Sequence, residues 1–217
     1  VLDRQPRPGV CPKKSQRDRL IRLAATHPDW CLGFEDETWW SRLASPAVQT
    51  WTEVGRPLRL VEQTVASTDA DPKALACYGL YLPIAHEVLL RFVAGRPVSG
   101  MTTQFLSWCS DRLAARGKTA LLLVWDNASW HISHAVRRWL RAHNQRVKRT
   151  GEGVRVLSCL LPTRSPWLNP IEPKWVHGKR RVREADRVLT ARETAERACA
   201  ALDCPYEDHL TLPNKVA

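Results

Sequence analysis

The chain has 217 residues, 44% of them hydrophobic and 25% charged, which suits one substantial domain with a real core. No apolar run approaches the roughly 18 residues of a membrane span, and the N-terminal "VLDRQPRPGVCPKKSQRDR" lacks the apolar stretch of a secretory signal. A net charge of +11 points to a polyanionic partner, nucleic acid first among them, with plain solubility as the alternative.

The first residue is not Met, as expected of a fragment or a frame-shifted product. Seven cysteines are scattered without a CxxC pair. That pattern argues against a disulfide framework or a zinc ribbon, so free thiols in a reducing cytoplasm are expected.

In chain order, residues 1–13 read as a Pro-rich basic arm and 14–26 as a short helix. "WCLGFEDE" (30–37) reads as a buried strand ending in three acids. Segment 47–66 looks extended. Residues 74–82 and 87–94 form a predicted hairpin around Pro83. A helix over 101–116 stops at Gly117. "ALLLVW" (120–125) is a fully buried strand, 134–144 an amphipathic helix and 148–153 a basic loop. A strand at 154–162, a helix opening within 169–182, a helix at 190–202 and a tail over 203–217 complete the chain. Strands followed by alternating helices and strands predict an α/β domain with a mixed sheet.

Asp126 and Asp36 fall at the carboxyl ends of predicted strands, where α/β sheets place functional groups. Glu172 follows a third strand by a short loop, in the first turn of a helix. If the strands of Asp36 and Asp126 are parallel neighbours, the three carboxylates meet at one edge. Clustered carboxylates repel one another and raise each other's pKa, which divalent cations would relieve. Hard oxygen donors favour Mg²⁺ or Mn²⁺ over zinc, and two such ions suit displacement at phosphorus. Each acid also has a plainer reading. Asp126 suits a turn or an N-cap, and Asp36 is one of three adjacent acids. Asn169, Pro170 and Glu172 could form a capping box. No GxxxxGK[ST] loop is present, and His131 and His134 lack companions at zinc-ligand spacing.

"FEDETWW" (34–40), "VWDNASWH" (124–131) and "LPTRSPWLNPIEPKW" (161–175) resemble the three catalytic blocks of the IS630/Tc1-mariner transposase superfamily. "WTEVGRP" (51–57) is similar to the segment after the family's first block. The resemblance covers roughly residues 17–183 and implies an RNase H-like fold, a mixed five-stranded sheet flanked by helices. It implies a DDE triad of Asp36, Asp126 and Glu172 holding two Mg²⁺ or Mn²⁺ ions. The first acid would bridge both ions and the others would hold one each. Asn127 and His131 match supporting polar positions of the second block, and Asn169 and Pro170 match the turn that aims the acidic helix. Lys174, Lys179, Arg180, Arg181 and Arg183 are candidate contacts to the DNA backbone, or a merely solvated face.

The implied function is metal-dependent DNA cleavage and strand transfer at element ends and target. A homodimer would form in the synaptic complex, in the bacterial cytoplasm with the nucleoid and without membrane contact. The expected division is 1–29 as arm and helix, 30–185 as catalytic domain and 186–217 as C-terminal helix and tail. A regulatory DNA-binding remnant or another RNase H-like nuclease are the competing readings. Two departures from the family stand out. The Asp126–Glu172 spacing is long, with the excess assigned to the "VKRTGEG" loop. Residues before 30 leave no room for a helix-turn-helix that would read element ends.

Overall fold

A computed structural model describes residues 10–43, 65–182 and 187–212, with side chains from residue 13 onward. The expectations for the N-terminal arm up to residue 9, for "WTEVGRP", for most of segment 47–66 and for Arg183 lie outside the described residues.

Strands β1 (Trp30–Ser41), β2 (Ala74–Leu82), β3 (Glu87–Phe92), β4 (Ala120–Trp125) and β5 (Arg155–Leu160) form one sheet in the order β3-β2-β1-β4-β5. β2 pairs antiparallel with β1 and β3, while β4 pairs parallel with β1 and β5. This is the mixed five-stranded sheet expected of an RNase H-like domain. The hairpin of β2 and β3 falls where the sequence placed it.

β4 is buried along its whole length, because helices cover both faces of the sheet. Leu122 and Val124 enter one core; Leu121, Leu123 and Trp125 enter the other. The first core lies under α1 (Val10–Thr26), α4 (Glu172–Val182) and α5 (Ala191–Ala201). The second lies under α2 (Ser99–Ala114) and α3 (His134–Thr150). Burying one Leu or Phe side chain contributes about 1.5–3 kcal/mol, so these two layers dominate the stability of the platform that carries the site.

Three boundaries differ from the sequence reading in ways that bear on the site. β1 runs to Ser41 rather than stopping at its acids. Its pairing with β4 ends at Phe34–Val124, while its pairing with β2 continues to Ser41. Asp36 is therefore inside a strand but beyond the end of its parallel neighbour. α3 extends through Thr150 and ends at Gly151, which takes the left-handed conformation at φ 72. Lys148 and Arg149 favour the negative end of the helix dipole, so the helix takes 148–150 of the stretch expected to be a basic loop, and only 151–153 remain outside it. Finally, α4 begins at Glu172 itself, and Asn169 does not cap it. The Asn169 side chain instead donates from Nδ2 to the Glu35 carbonyl at 3.1 Å.

Candidate active site

Alternation along β1 sends its acids to opposite faces. Asp36 shares the face of Leu32, Phe34 and Trp40, toward α4. Glu35 and Glu37 point the other way, toward the loop between β4 and α3. Asp126 directly follows β4, and Glu172 opens α4. The structure brings all three predicted acids into one pocket of about 220 Å³, whose wall also includes Asn127, Arg164 and Asn169.

The neighbours of Asp36 explain its electrostatics. Trp175 donates from Nε1 to Asp36 Oδ2 at 2.9 Å. Asp36 lies opposite Gly79 of β2. A Cβ on Gly79 would sit 2.3 Å from the Trp175 ring, so only glycine lets the indole reach across. Burial, then repulsion from Glu172, push the Asp36 pKa up to about 7, and the Trp175 bond only partly opposes them. Glu172 is raised by burial and by Asp126, with Lys179 opposing. For Asp126, burial works against the charge. Bonds from His131 and from the Ala128 N–H outweigh it and hold the carboxyl below the usual range.

Of the supporting polar residues of the second block, His131 has more polar partners than Asn127. It is buried, with 2% of its surface exposed. Its Nδ1 lies 2.9 Å from Asp126 Oδ1. Its Nε2 lies 3.0 Å from Glu37 Oε1 and 3.2 Å from Glu35 Oε2. Trp125 stacks on the ring at 4.5 Å, and Trp130 Nε1 donates to Glu37 Oε1 at 2.6 Å. Burial opposes a charge on the ring, but Glu35, Asp126 and Glu37 together push its pKa up to about 11. His131 is therefore an imidazolium tying the end of β4 to the middle of β1. It does not cap α3; Ser133 does, accepting from the Val136 N–H.

Glu35 is fully buried, and both its carboxylate oxygens lack a hydrogen-bond partner. Burial, then Glu37, push its pKa well above the carboxylate range, with His131 opposing. Ligand atoms of Glu35, Glu37 and His131 lie within 4.8 Å of one another. The imidazolium pairs with Glu37 and Asp126, so this cluster is a closed, buried brace. Asp36, Asp126 and Glu172 line the open pocket with hard oxygen donors, the kind that hold divalent cations. Among the described residues, though, the trio whose ligand atoms lie within 4.8 Å of one another is Glu35, Glu37 and His131 and not these three.

Asn127 donates from Nδ2 to the Leu161 carbonyl at 2.5 Å, and Lys13 Nζ reaches its Oδ1 at 3.1 Å. α1 thus closes one side of the pocket. Of the predicted cationic run, Arg180 and Arg181 are exposed while Lys179 is half-buried. Lys174 Nζ instead sits 4.9 Å over the Tyr81 ring. Sequence reading missed Glu35, Trp175, Gly79, Lys13 and Arg164. Period-two alternation in "FEDE" was one available signal, since it separates Asp36 from its neighbours. Arg164 holds a left-handed backbone at φ 57 on the pocket wall, a costly conformation that clusters at functional sites.

Residues 85–194 match the profile of the DDE superfamily endonucleases. No curated protein sequence matches the chain. Among solved structures it is similar to the Mos1 transposase paired-end complex with left transposon end, at 16% identity and a TM-score of 0.62. That match covers 94% of this chain and 57% of the other. A second similarity is to the mariner Mos1 paired-end complex with Mg, at 16% identity and TM-score 0.53, covering 96% and 66%. A third is to the catalytic domain of Mos1 mariner transposase, at 15% identity and TM-score 0.50, covering 90% and 81%. The chain shares their RNase H-like fold, and spans 57% of the length of the first.

Proposed function

Since the chain belongs to the DDE superfamily endonucleases, we propose that it is a transposase catalytic domain that cuts DNA at element ends and joins them to target DNA. The observation that carries this reading is that Asp36, Asp126 and Glu172 line one pocket. Asp36, Asp126 and Glu172 are assigned as catalytic residues and as holders of two Mg²⁺ or Mn²⁺ ions. Bound there, such ions activate water or a 3′-hydroxyl and stabilise charge on the leaving oxygen at phosphorus.

The chain's own groups do the positioning. His131 fixes the Asp126 carboxylate through Nδ1 and keeps it ionised. Trp175 orients Asp36. Asn169 ties the turn before α4 to β1 and so sets where Glu172 enters the pocket. Arg164, on the wall, is placed to meet a phosphate. Arg180 and Arg181 lie exposed farther along α4 and are assigned to backbone contacts. In the Mos1 complex the structure holds a left transposon end. Element-end DNA and a synaptic homodimer are proposed here by that likeness.

Asp36→Ala, Asp126→Ala and Glu172→Ala should each abolish Mg²⁺-dependent nicking of a duplex while leaving the fold intact by circular dichroism. Undiminished nicking by any one of them refutes its assignment. Tight DNA binding by the wild-type chain with no cleavage in Mg²⁺ or Mn²⁺ would instead support a regulatory remnant.

A further inference from the structure

α3 has the sequence "HAVRRWLRAHNQRVKRT", with six Lys or Arg residues and no Asp or Glu. Val136, His143 and Val147 face inward and are buried. At about 100° per residue, Arg137, Arg138, Arg141, Lys148 and Arg149 fall within an arc of roughly 120° centred opposite that buried face. All five are exposed. None of them forms an ion pair with a carboxylate among the described residues. Other surface cations do, as Arg116 with Glu87 and Arg192 with Glu196.

Such a face is unfavourable for an isolated helix. Arg137–Arg141 and Arg138–Arg141 are like-charge neighbours, each costing a few tenths of a kcal/mol. Arg137 and Arg138 also sit near the positive end of the dipole, where α3 has no acid in its first turn. The helix starts close to the active site along the chain: its cap Ser133 follows His131, which holds Asp126, by two residues. α3 lies on the opposite side of the sheet from α4, so its cations form a surface separate from Arg180 and Arg181.

We propose that the exposed face of α3 carries the phosphate backbone of duplex DNA away from the cleavage site. This rests on the reading of the site as a DNA-cutting one. The cations from Arg137 to Arg149 extend about 18 Å along the helix, the length of about five base pairs of B-DNA. Backbone contacts of this kind carry no sequence information and set register and orientation.

The test is the salt dependence of DNA affinity, measured by fluorescence anisotropy on the wild-type chain and on Arg137→Gln/Arg141→Gln/Lys148→Gln. Two labelled duplexes are compared, one extending about 15 base pairs past the cleavage point and one about 2. With the long duplex, the slope of log affinity against log salt should become shallower by about 2–3, at roughly 0.9 per lost phosphate contact. Affinity at low salt should fall about tenfold or more. The short duplex should show little change.

An unchanged slope overturns the proposal, as does an equal loss on both duplexes. Binding of anionic lipid vesicles that responds to the variant, with duplex binding unaltered, also overturns it. The variant removes like-charge contacts and should fold. Arg137→Lys/Arg141→Lys, which keeps the charge, should retain the wild-type slope. The two failures are distinguishable: a chain that still nicks in Mg²⁺ but shows an unchanged slope overturns this inference alone, whereas a wild-type chain that never nicks overturns the proposed function on which it rests.

Discussion

Replacing Asp36 with Asn tests whether the site's carboxylates are held in a state that only a cation relieves. Folding moves the Asp36 carboxyl from an ordinary 3.8 to about 7. Between those values the folded protein keeps a proton that the unfolded chain has released. Stability therefore falls as pH rises through that window, and the penalty is complete above the folded value. A rise of about three in pKa sets an upper bound near 4 kcal/mol. The pocket is open to water and Asp36 is only partly buried, which brings the expectation to about 2 kcal/mol. Asn keeps an oxygen to accept from Trp175 Nε1 and cannot ionise. In EDTA at pH 8, Asp36→Asn should therefore be more stable than the wild type by about 2 kcal/mol, or roughly 4–8 °C in Tm. The difference should shrink toward zero near pH 4. Mg²⁺ should then raise the wild-type Tm by mass action, by about 2.7 kcal/mol at a hundredfold excess over Kd, and raise the variant far less. Urea or thermal melts at several pH values read all of this. A variant less stable than wild type at pH 8, or a gain that ignores pH, would falsify the electrostatic reasoning.

His131→Gln removes the cation among Glu35, Glu37 and Asp126 and should cost about 3–5 kcal/mol. Adding Glu35→Gln should recover part of that loss, and a double-mutant cycle in chemical denaturation measures the coupling. Because folding raises the His131 pKa to about 11, its contribution is full below about pH 6.5 and declines as pH climbs toward the folded value. A His131 contribution that grows between pH 7 and pH 10 would contradict the assigned charge. Gly79→Ala should clash with Trp175, costing about 1–3 kcal/mol and displacing Asp36, seen as weaker Mg²⁺ stabilisation beyond the change in Tm. Thr190→Ala removes the side-chain half of the capping box on α5, the Thr190 hydroxyl that accepts from the Glu193 N–H, and leaves the Glu193 carboxylate on the residue 190 N–H; it should cost about 1 kcal/mol with no change in Mg²⁺ response.

The strands of the mixed sheet, and the placing of the candidate acids at strand and helix ends, were legible because each rests on local, one-dimensional information. "ALLLVW" is too apolar to be anything but a strand covered on both faces, and Asp126 is the first residue the core does not claim. Ser-Pro-x-Leu-Asn-Pro at 165–170 is a turn by its prolines, so Glu172 had to begin a helix rather than sit within one. The errors came where tertiary context decided. Asn169 has a good N-cap sequence, but a free carbonyl at Glu35, 134 residues away in the chain, claims its side chain. The stretch after residue 144 looks like a loop by its polarity, yet Gly151 is the first residue that readily takes the left-handed cap. The Gly79–Trp175 contact joins residues whose separation in sequence carries no periodic signal. A glycine in a buried strand hints at a close approach, without naming the partner.

The two faces of β1 solve the same electrostatic problem in different ways. On one face, Glu37 and Asp126 pair with a cation built into the fold, the His131 imidazolium, while the fully buried Glu35 beside it is still pushed well above the carboxylate range. On the other face, Asp36 meets Glu172 and an indole N–H, and its pKa rises. Asp126 is therefore ionised and fixed by the protein alone, whereas Asp36 and Glu172 are left short of positive charge. Under the proposed function, the brace would fix where Asp126 stands, and the charge deficit of Asp36 and Glu172 would supply part of the free energy of metal binding. A histidine facing Asp36 as well would lower its pKa and fill the deficit, leaving a more stable protein with less reason to bind a metal.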